Sequence, residues 1–251
     1  TDSSAASSAE QVINVQFSAE MGSADISLAT DSYSFITLNN AYEGLYRLDE
    51  NNVPVTAGAS KDAEVSEDGL TYTISLREEA KWSNGDPVTA ADYVFSWQRT
   101  VDPATASNYA YMLAPVKNAS AISDGTLDKS ELGIEAVNDH ELTITLEKPT
   151  PYFLSLLAFP TFFPQNERVV EEFSDQYALT SENAVYNGPF LLTNYAGPGT
   201  DIQWSLEKNP DYWDADSVKL EKVNFDVVKD SSTAYNLYES GQADDIILSG
   251  E

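Results

Sequence analysis

Residues 70–76 predict a β-strand with one buried face, because four apolar side chains alternate there with three hydroxyl side chains. The turn sequence Glu67-Asp68-Gly69 precedes this strand. A strand of this kind fits an antiparallel sheet that packs one side on a core and leaves the other side in water. The middle of the chain is therefore expected to contain a largely antiparallel sheet.

Further strands and helices are predicted on both sides of this segment. Apolar and β-branched runs predict strands at Val12–Phe17 and at residues 134–137, 142–146, 190–195, 202–206, 223–227 and 243–248. Helical spacing predicts helices over residues 31–46, 166–177 and 231–240, with Gly241 in the position of a C-terminal cap. Another helix begins at Thr89, because Thr89 and Asp92 resemble a capping box.

The order of these elements favours the α/β (mixed α+β) class. A strand and a helix come first, a largely antiparallel region follows, and strands and helices return at the end. We therefore expect one domain, formed by residues 12–42 plus 167–251, that is interrupted by an inserted domain at residues 43–166. Residues 1–11 are rich in Ser, Ala and acidic side chains and predict a flexible tether. Such a tether commonly follows the lipid-modified cysteine of a bacterial lipoprotein, and an ordinary frayed terminus has the same composition.

The charge of the chain restricts its partners. The 251 residues include 41 acidic and 13 basic ones, and the formal net charge is −28. Nucleic acid and anionic membranes need cations that such a surface does not offer, so both are excluded as partners. Hydrophobic residues make up 42% of the chain, which is enough for a folded core. No apolar run approaches the roughly 18 residues that span a bilayer. No basic-then-apolar leader is found, so we expect that any signal peptide was removed or was never there. A soluble, exported protein with an acidic surface fits these values.

The residue types argue against catalysis, metals and cofactors. The chain has no cysteine, which excludes disulfides, thiolate metal sites and cysteine nucleophiles. Its single histidine, His140, lies in a turn sequence between two predicted strands without a catalytic partner. Asp211, Asp214 and Asp216 lack the glycine and glutamate of a calcium loop and are interpreted as an acidic turn. We expect no cofactor and no enzyme; a glycoside hydrolase stays open only because 41 acidic residues allow carboxylate pairs by chance.

Aromatic side chains are the remaining candidates for a binding surface. They cluster at Trp82, Trp97, Tyr109, Tyr111, Phe159, Phe162 and Phe163. Most of them are expected in the core. Aromatic side chains on loops that face a cleft can instead form the walls of a ligand pocket.

Five segments carry a resemblance to a known family. They are residues 39–46 (NNAYEGLY), 66–72 (SEDGLTY), 76–97 (LREEAKWSNGDPVTAADYVFSW), 187–190 (NGPF) and 209–213 (NPDYW). Together, and in this order, they resemble the extracytoplasmic solute-binding proteins of the oligopeptide and dipeptide class. The resemblance covers nearly everything after the tether, and the segment 76–97 is the most specific part of it.

The resemblance implies a fold as well as a function. It implies one lobe of the periplasmic-binding-protein-like type II fold with an inserted extra domain, and a second lobe absent from this chain. The chain would then be the N-terminal half of a family member. In the family, an extended peptide is held between the two lobes mainly by main-chain hydrogen bonds, which suits ligands of many sequences.

Specific site residues follow from the same resemblance. The segment that pairs with the peptide main chain would be Thr30, Asp31, Ser32 and Tyr33. Tyr109 would face the ligand from the inserted domain, and Phe159 would line a side-chain pocket. The carboxylate that holds the amino terminus of the peptide would belong to the second lobe.

The implied function is capture of extracellular oligopeptides and their delivery to the membrane permease of an ABC importer. The implied location is extracytoplasmic. The protein would be a cell-surface lipoprotein of a Gram-positive bacterium, and its lipid anchor would lie outside this chain. A different solute on the same scaffold remains the alternative: an oligosaccharide, a nickel complex or a peptide pheromone. Of these, nickel is the least favoured, because the chain offers one histidine.

Overall fold

The structure is a computed structural model that describes residues 10–199 and 202–247. Its strands are β1 (Val12–Phe17), β2 (Tyr46–Leu48), β3 (Pro54–Thr56), β4 (Glu64–Val65), β5 (Thr71–Ser75), β6 (Ile134–Asn138), β7 (Glu141–Thr145), β8 (Phe190–Thr193), β9 (Gln203–Lys208), β10 (Lys222–Val227) and β11 (Asp245–Ile246). Its α-helices are α1 (Ser32–Ala41), α2 (Ala90–Val101), α3 (Ala119–Ser123), α4 (Phe153–Leu156), α5 (Glu167–Phe173) and α6 (Ser231–Glu239). Most of the predicted tether, and the end of the strand predicted at 243–248, lie outside the described residues.

A five-stranded mixed sheet joins the two ends of the described chain. Its strand order is β11-β1-β10-β9-β8. Strand β1 runs parallel to β10 and β11, whereas β10, β9 and β8 are antiparallel to one another. One face of the sheet is apolar, and the rings of Phe17, Trp204 and Phe225 pack there with centroids 4.9–5.9 Å apart. Helix α1 covers part of this face, and Trp204 Nε1 donates a 3.1 Å hydrogen bond to Thr37 Oγ1.

A four-stranded antiparallel sheet is formed by the middle of the chain. Its order is β4-β5-β7-β6, and every pair in it is antiparallel, as the alternating pattern at residues 70–76 predicts. Tyr72 and Ile74 are buried, whereas Thr71, Thr73 and Ser75 are partly exposed. His140 lies in the turn between β6 and β7, where its main-chain N–H donates to Asn138 Oδ1 at 2.9 Å. The prediction of a turn histidine is confirmed.

A short antiparallel hairpin of β2 and β3 was not predicted. Each of its two strands has only three residues, and Pro54 and the turn around Asp49 interrupt the pattern that would indicate them. The strands of this hairpin and of the four-stranded sheet all lie between residues 46 and 145, whereas the five-stranded sheet uses residues 12–17 and 190–246. The division into a tether, a first lobe and an inserted domain with boundaries at 43 and 166 stays a prediction.

Two predicted helices end earlier than their apolar spacing indicates. The helix predicted over residues 31–46 stops at Ala41, because Tyr42 is extended and the next N–H, that of Glu43, donates to Asn187 Oδ1 at 3.0 Å. The helix predicted over residues 166–177 stops at Phe173, where Ser174 takes a positive φ of 51°. A tertiary contact therefore ends the first helix, and a local backbone conformation ends the second, although the apolar spacing continues in both.

Helix α2 begins as the sequence predicts. The Thr89 main-chain N–H donates to Asp92 Oδ2 at 2.9 Å, which completes the capping box. The same carboxylate oxygen accepts a 3.0 Å hydrogen bond from Trp82 Nε1, and Trp82 is fully buried. Among the described residues, no helix is both long and apolar enough to cross a membrane.

Candidate ligand-binding site

The N-terminus of α1 is built around the carboxylate of Asp31. Asp31 is the N-cap residue, and its Oδ1 accepts a 2.8 Å hydrogen bond from the Ser34 main-chain N–H. Its Oδ2 accepts from Ser34 Oγ at 2.6 Å and from the Gly22 main-chain N–H at 3.1 Å. Because three donors already occupy this carboxylate, Asp31 holds the loop at residue 22 against the helix.

The main chain beside Asp31 is available to a partner. Thr30 and Ser32 are exposed, and Tyr33 is half-buried. The first N–H groups of a helix have no acceptor within the helix, and those of Ser32 and Tyr33 find none elsewhere in the described part of the chain. Unpaired donors at a solvent-facing helix start can bind the carbonyl groups of an extended peptide.

Tyr109 reaches this segment from residues that are distant in sequence. Its hydroxyl donates a 3.1 Å hydrogen bond to the main-chain carbonyl of Thr30. Its ring lies nearly parallel to that of Phe35, with centroids 5.5 Å apart and planes 18° apart. Phe35 also contacts the ring of Phe159, with centroids 4.7 Å apart. Phe35 therefore joins Tyr109 and Phe159 into one aromatic row beside the start of α1.

Tyr33 lies toward the five-stranded sheet. Its ring packs on that of Phe17 with centroids 4.7 Å apart, and its hydroxyl is 2.6 Å from Ser18 Oγ. Tyr109 therefore contacts both Thr30 and Phe35, and Phe159 contacts Phe35. Tyr33 contacts Phe17 and Ser18 instead. The role of the predicted site residues in binding stays a prediction. Phe35 was not predicted, because neither the apolar helical spacing nor the resemblance singled it out.

The other aromatic clusters are mainly core, as expected. Trp82, Trp97, Phe162 and Phe163 are at most 2% exposed. Tyr111 is the exception, because 67% of it is exposed. Among residues 10–199 and 202–247, no three acidic or histidine side chains are arranged to hold a metal ion.

Glu43 is a buried carboxyl group that was not predicted to have a role. Both of its oxygens accept hydrogen bonds, one from the Tyr212 hydroxyl and one from Trp213 Nε1 at 2.7 Å. Burial raises its pKa to about 7, and the donors and the charges of Arg47 and Arg77 oppose this shift. A carboxyl group with a raised pKa beside a cleft, here one of about 300 Å³, is typical of functional sites.

The contacts of Glu43 nevertheless indicate a structural role. Its main-chain N–H and carbonyl bind the side-chain amide of Asn187, with both hydrogen bonds 3.0 Å long. The Arg77 guanidinium lies 3.8 Å from the centre of the Trp213 ring, above its face. Residue 43 therefore anchors the segments at residues 187 and 212–213 and joins parts of the chain that are far apart in sequence.

The chain is similar to proteins that bind peptides. Residues 53–250 match the family described as bacterial extracellular solute-binding proteins, family 5 Middle. The dipeptide-binding protein of Lactococcus lactis subsp. cremoris is 42% identical over 94% of this chain and 43% of its own length.

Two solved structures share this architecture. The structure of Listeria monocytogenes OppA bound to peptide superposes with a TM-score of 0.92 at 49% identity, over 94% of this chain and 46% of that one. The pheromone receptor PrgZ superposes with a TM-score of 0.91 at 41% identity, over 94% and 46% of the two chains. The chain therefore spans slightly less than half the length of these relatives.

Proposed function

The chain belongs to family 5 of the bacterial extracellular solute-binding proteins, and from this premise we propose that the full-length protein captures oligopeptides outside the cytoplasm. It delivers them to the membrane permease of an ABC importer and does not transform them. The observation that carries the proposal is the juxtaposition of unpaired main-chain donors at Ser32 and Tyr33 with the aromatic row of Phe35, Tyr109 and Phe159.

This juxtaposition suits a peptide better than a sugar or a metal complex. Main-chain donors bind the groups that every peptide shares, and the rings contact side chains without selecting one sequence. The family relationship to a dipeptide-binding protein and to a peptide-bound OppA supports the same ligand class. The remaining contacts, including a partner for the amino terminus of the peptide, come from the second lobe. A lipid anchor on a Gram-positive cell surface belongs to the same proposal.

A peptide pheromone is the second candidate ligand, because the pheromone receptor PrgZ has the same architecture over the matched residues. Pheromone capture differs from nutrient capture in selectivity rather than in the chemistry of the site. A receptor for one pheromone would bind one sequence, whereas an importer of nutrients would bind many.

Mass spectrometry of ligands that co-purify with the full-length protein tests the proposal, followed by calorimetric titration with a random peptide pool. We expect a mixture of peptides and binding of the pool without hydrolysis. A single peptide sequence would support the pheromone receptor. A co-purified sugar, or peptide turnover that a single carboxylate substitution abolishes, would overturn the proposal.

A further inference from the structure

A groove lies next to the aromatic row and lies outside the candidate ligand-binding site at the start of α1. It has a volume of about 530 Å³, and its walls include Tyr111, Met112, Pro115, Lys148, Tyr152 and Leu156. We call it the tyrosine groove. It is formed by the segment that follows Tyr109 and by the segment that leads into α4.

The two tyrosines of this groove are unusually exposed. Tyr111 is 67% exposed and Tyr152 is 60% exposed, more than any other large apolar side chain that the structure describes. Folding would normally bury rings of this size, because they carry much apolar area. Two such rings in one concave surface indicate a place where a partner covers them.

The groove is continuous with the candidate ligand-binding site. The rings of Tyr111 and Tyr109 meet edge to face, with centroids 5.7 Å apart. Tyr109 in turn contacts Phe35 and the carbonyl of Thr30. A peptide that lies along the start of α1 and passes Tyr109 would therefore enter the tyrosine groove next.

The groove is lined by one basic side chain, Lys148, and one acidic side chain, Glu147. Lys148 is exposed, and its ammonium group has no ion pair or hydrogen bond with the described residues. Glu147 forms no ion pair with Lys148 in the described structure, and its Oε1 instead accepts a 2.6 Å hydrogen bond from the Asn118 main-chain N–H. In a chain with 41 acidic and 13 basic residues, an unpaired lysine beside an apolar groove favours a ligand with a carboxylate.

We propose that the tyrosine groove is a subsite for the carboxyl-terminal end of longer peptides. An apolar or aromatic terminal side chain lies against Tyr111 and Tyr152, and the terminal carboxylate contacts Lys148. This inference rests on the proposed function. It adds a preference for the last residue and the free carboxyl end of the peptide. Short peptides do not show this preference, because they end before the groove.

The test is calorimetric titration of the full-length protein with alanine peptides from tri- to octapeptides. Each peptide is made with Ala or Phe as its last residue and with a free or amidated carboxyl end. Beyond a threshold length, Phe-terminated peptides should bind about tenfold more tightly than Ala-terminated ones, because a partly buried ring contributes about 1.5 kcal/mol. Amidation should weaken them by about two- to fivefold, the scale of an exposed ion pair.

Three variants assign these effects to the groove. Tyr152→Ala should remove the preference for Phe, and Lys148→Gln should remove the difference between acid and amide. Lys219→Gln changes an exposed lysine that does not line the groove and should leave both effects intact. Each substitution alters an exposed side chain, so folding should be unaffected.

The outcomes separate this inference from the proposed function. Binding of the short peptides, with no preference for Phe at any length or a preference that survives Tyr152→Ala, would overturn the subsite alone. Failure to bind any peptide would instead overturn the proposed function. Variants that bind all peptides normally but slow uptake by cells would show that the groove contacts the permease, which also contradicts the subsite.

Discussion

The carboxylate of Asp25 binds the guanidinium of Arg99 through two hydrogen bonds of 2.7 Å, one to each oxygen. Both side chains are largely buried, and Arg99 Nη1 also donates to Gln165 Oε1 at 2.9 Å. This pair connects the segment before α1 to the last turn of α2, which belongs to the predicted inserted domain. A buried ion pair thus joins the two parts of the chain, and removing one of its partners should strongly destabilise the fold.

Asp25→Asn should lower the free energy of unfolding by about 3 kcal/mol, because it leaves the buried Arg99 charge without its partner. Urea unfolding followed by tryptophan fluorescence measures this change. Glu64→Gln is the matched control: it removes an ion pair with Lys61 in which both side chains are more than half exposed. Its cost should be much smaller, because water screens an exposed ion pair, and equal costs for the two variants would contradict the role of Asp25.

Tyr109→Ala should weaken peptide binding by the full-length protein by about 1–3 kcal/mol, the usual range for an aromatic anchor at an interface. Tyr109→Phe keeps the stacking on Phe35 and loses only the hydrogen bond to Thr30, so its effect should be smaller. Calorimetric titration measures both, and Tyr238→Ala, at an exposed ring outside the site, is the control. A loss of thermal stability with unchanged affinity would show that Tyr109 is a core residue.

Gly188→Ala should destabilise the fold by about 1–3 kcal/mol through overpacking. A Cβ at Gly188 would lie 2.7 Å from the Ala41 carbonyl carbon and from the Tyr42 nitrogen, which are main-chain atoms that cannot rotate away. The Gly188 N–H also donates to the Ala41 carbonyl at 3.0 Å, where α1 ends. Thermal unfolding measures the loss, and an unchanged melting temperature would show that the end of α1 can move aside.

Glu43→Gln should change how stability depends on pH. The pKa of Glu43 is about 7 in the folded chain and 4.5 without burial. Between these values the folded state holds a proton that the unfolded state has released, so the wild type loses stability as pH rises from about 4.5 to 7. Glutamine does not titrate, and the variant avoids this loss of about 3 kcal/mol.

The measurement for Glu43 is the difference in unfolding free energy between the variant and the wild type at several pH values. The unfolding free energy of the variant should increase relative to that of the wild type as pH rises toward 7. Above pH 7 the difference should become constant. Parallel curves would show that Glu43 is ionised throughout this range.

Regular patterns made much of the secondary structure predictable. The strand at Val12–Phe17 and the capping box at Thr89 follow from local sequence, and the structure contains both. The ends of α1 and α5 do not follow from it. The end of α1 depends on Asn187, which is distant in the chain, and the end of α5 depends on the positive φ of Ser174.

The candidate site was predictable only in part. The resemblance pointed to Thr30, Tyr109 and Phe159, but it did not indicate that Phe35 holds the two rings together. Glu43 was visible only as part of a motif, because its burial depends on Tyr212 and Trp213 at the far end of the chain. Contacts between residues this far apart leave no periodic signal in one sequence.

The order of the five-stranded sheet also predicts an order of folding. Strand β1 is made first, yet its partners are β10 and β11, and Val12 pairs with Lys222. In the four-stranded sheet the main pairing joins Thr71 to Thr145, a much shorter loop that can close early. The four-stranded sheet should therefore fold before β10 and β11 are available to complete the five-stranded sheet. Throughout that delay β1 is an unpaired apolar strand, and protecting it from aggregation is a requirement that this topology imposes on any cell that makes the protein.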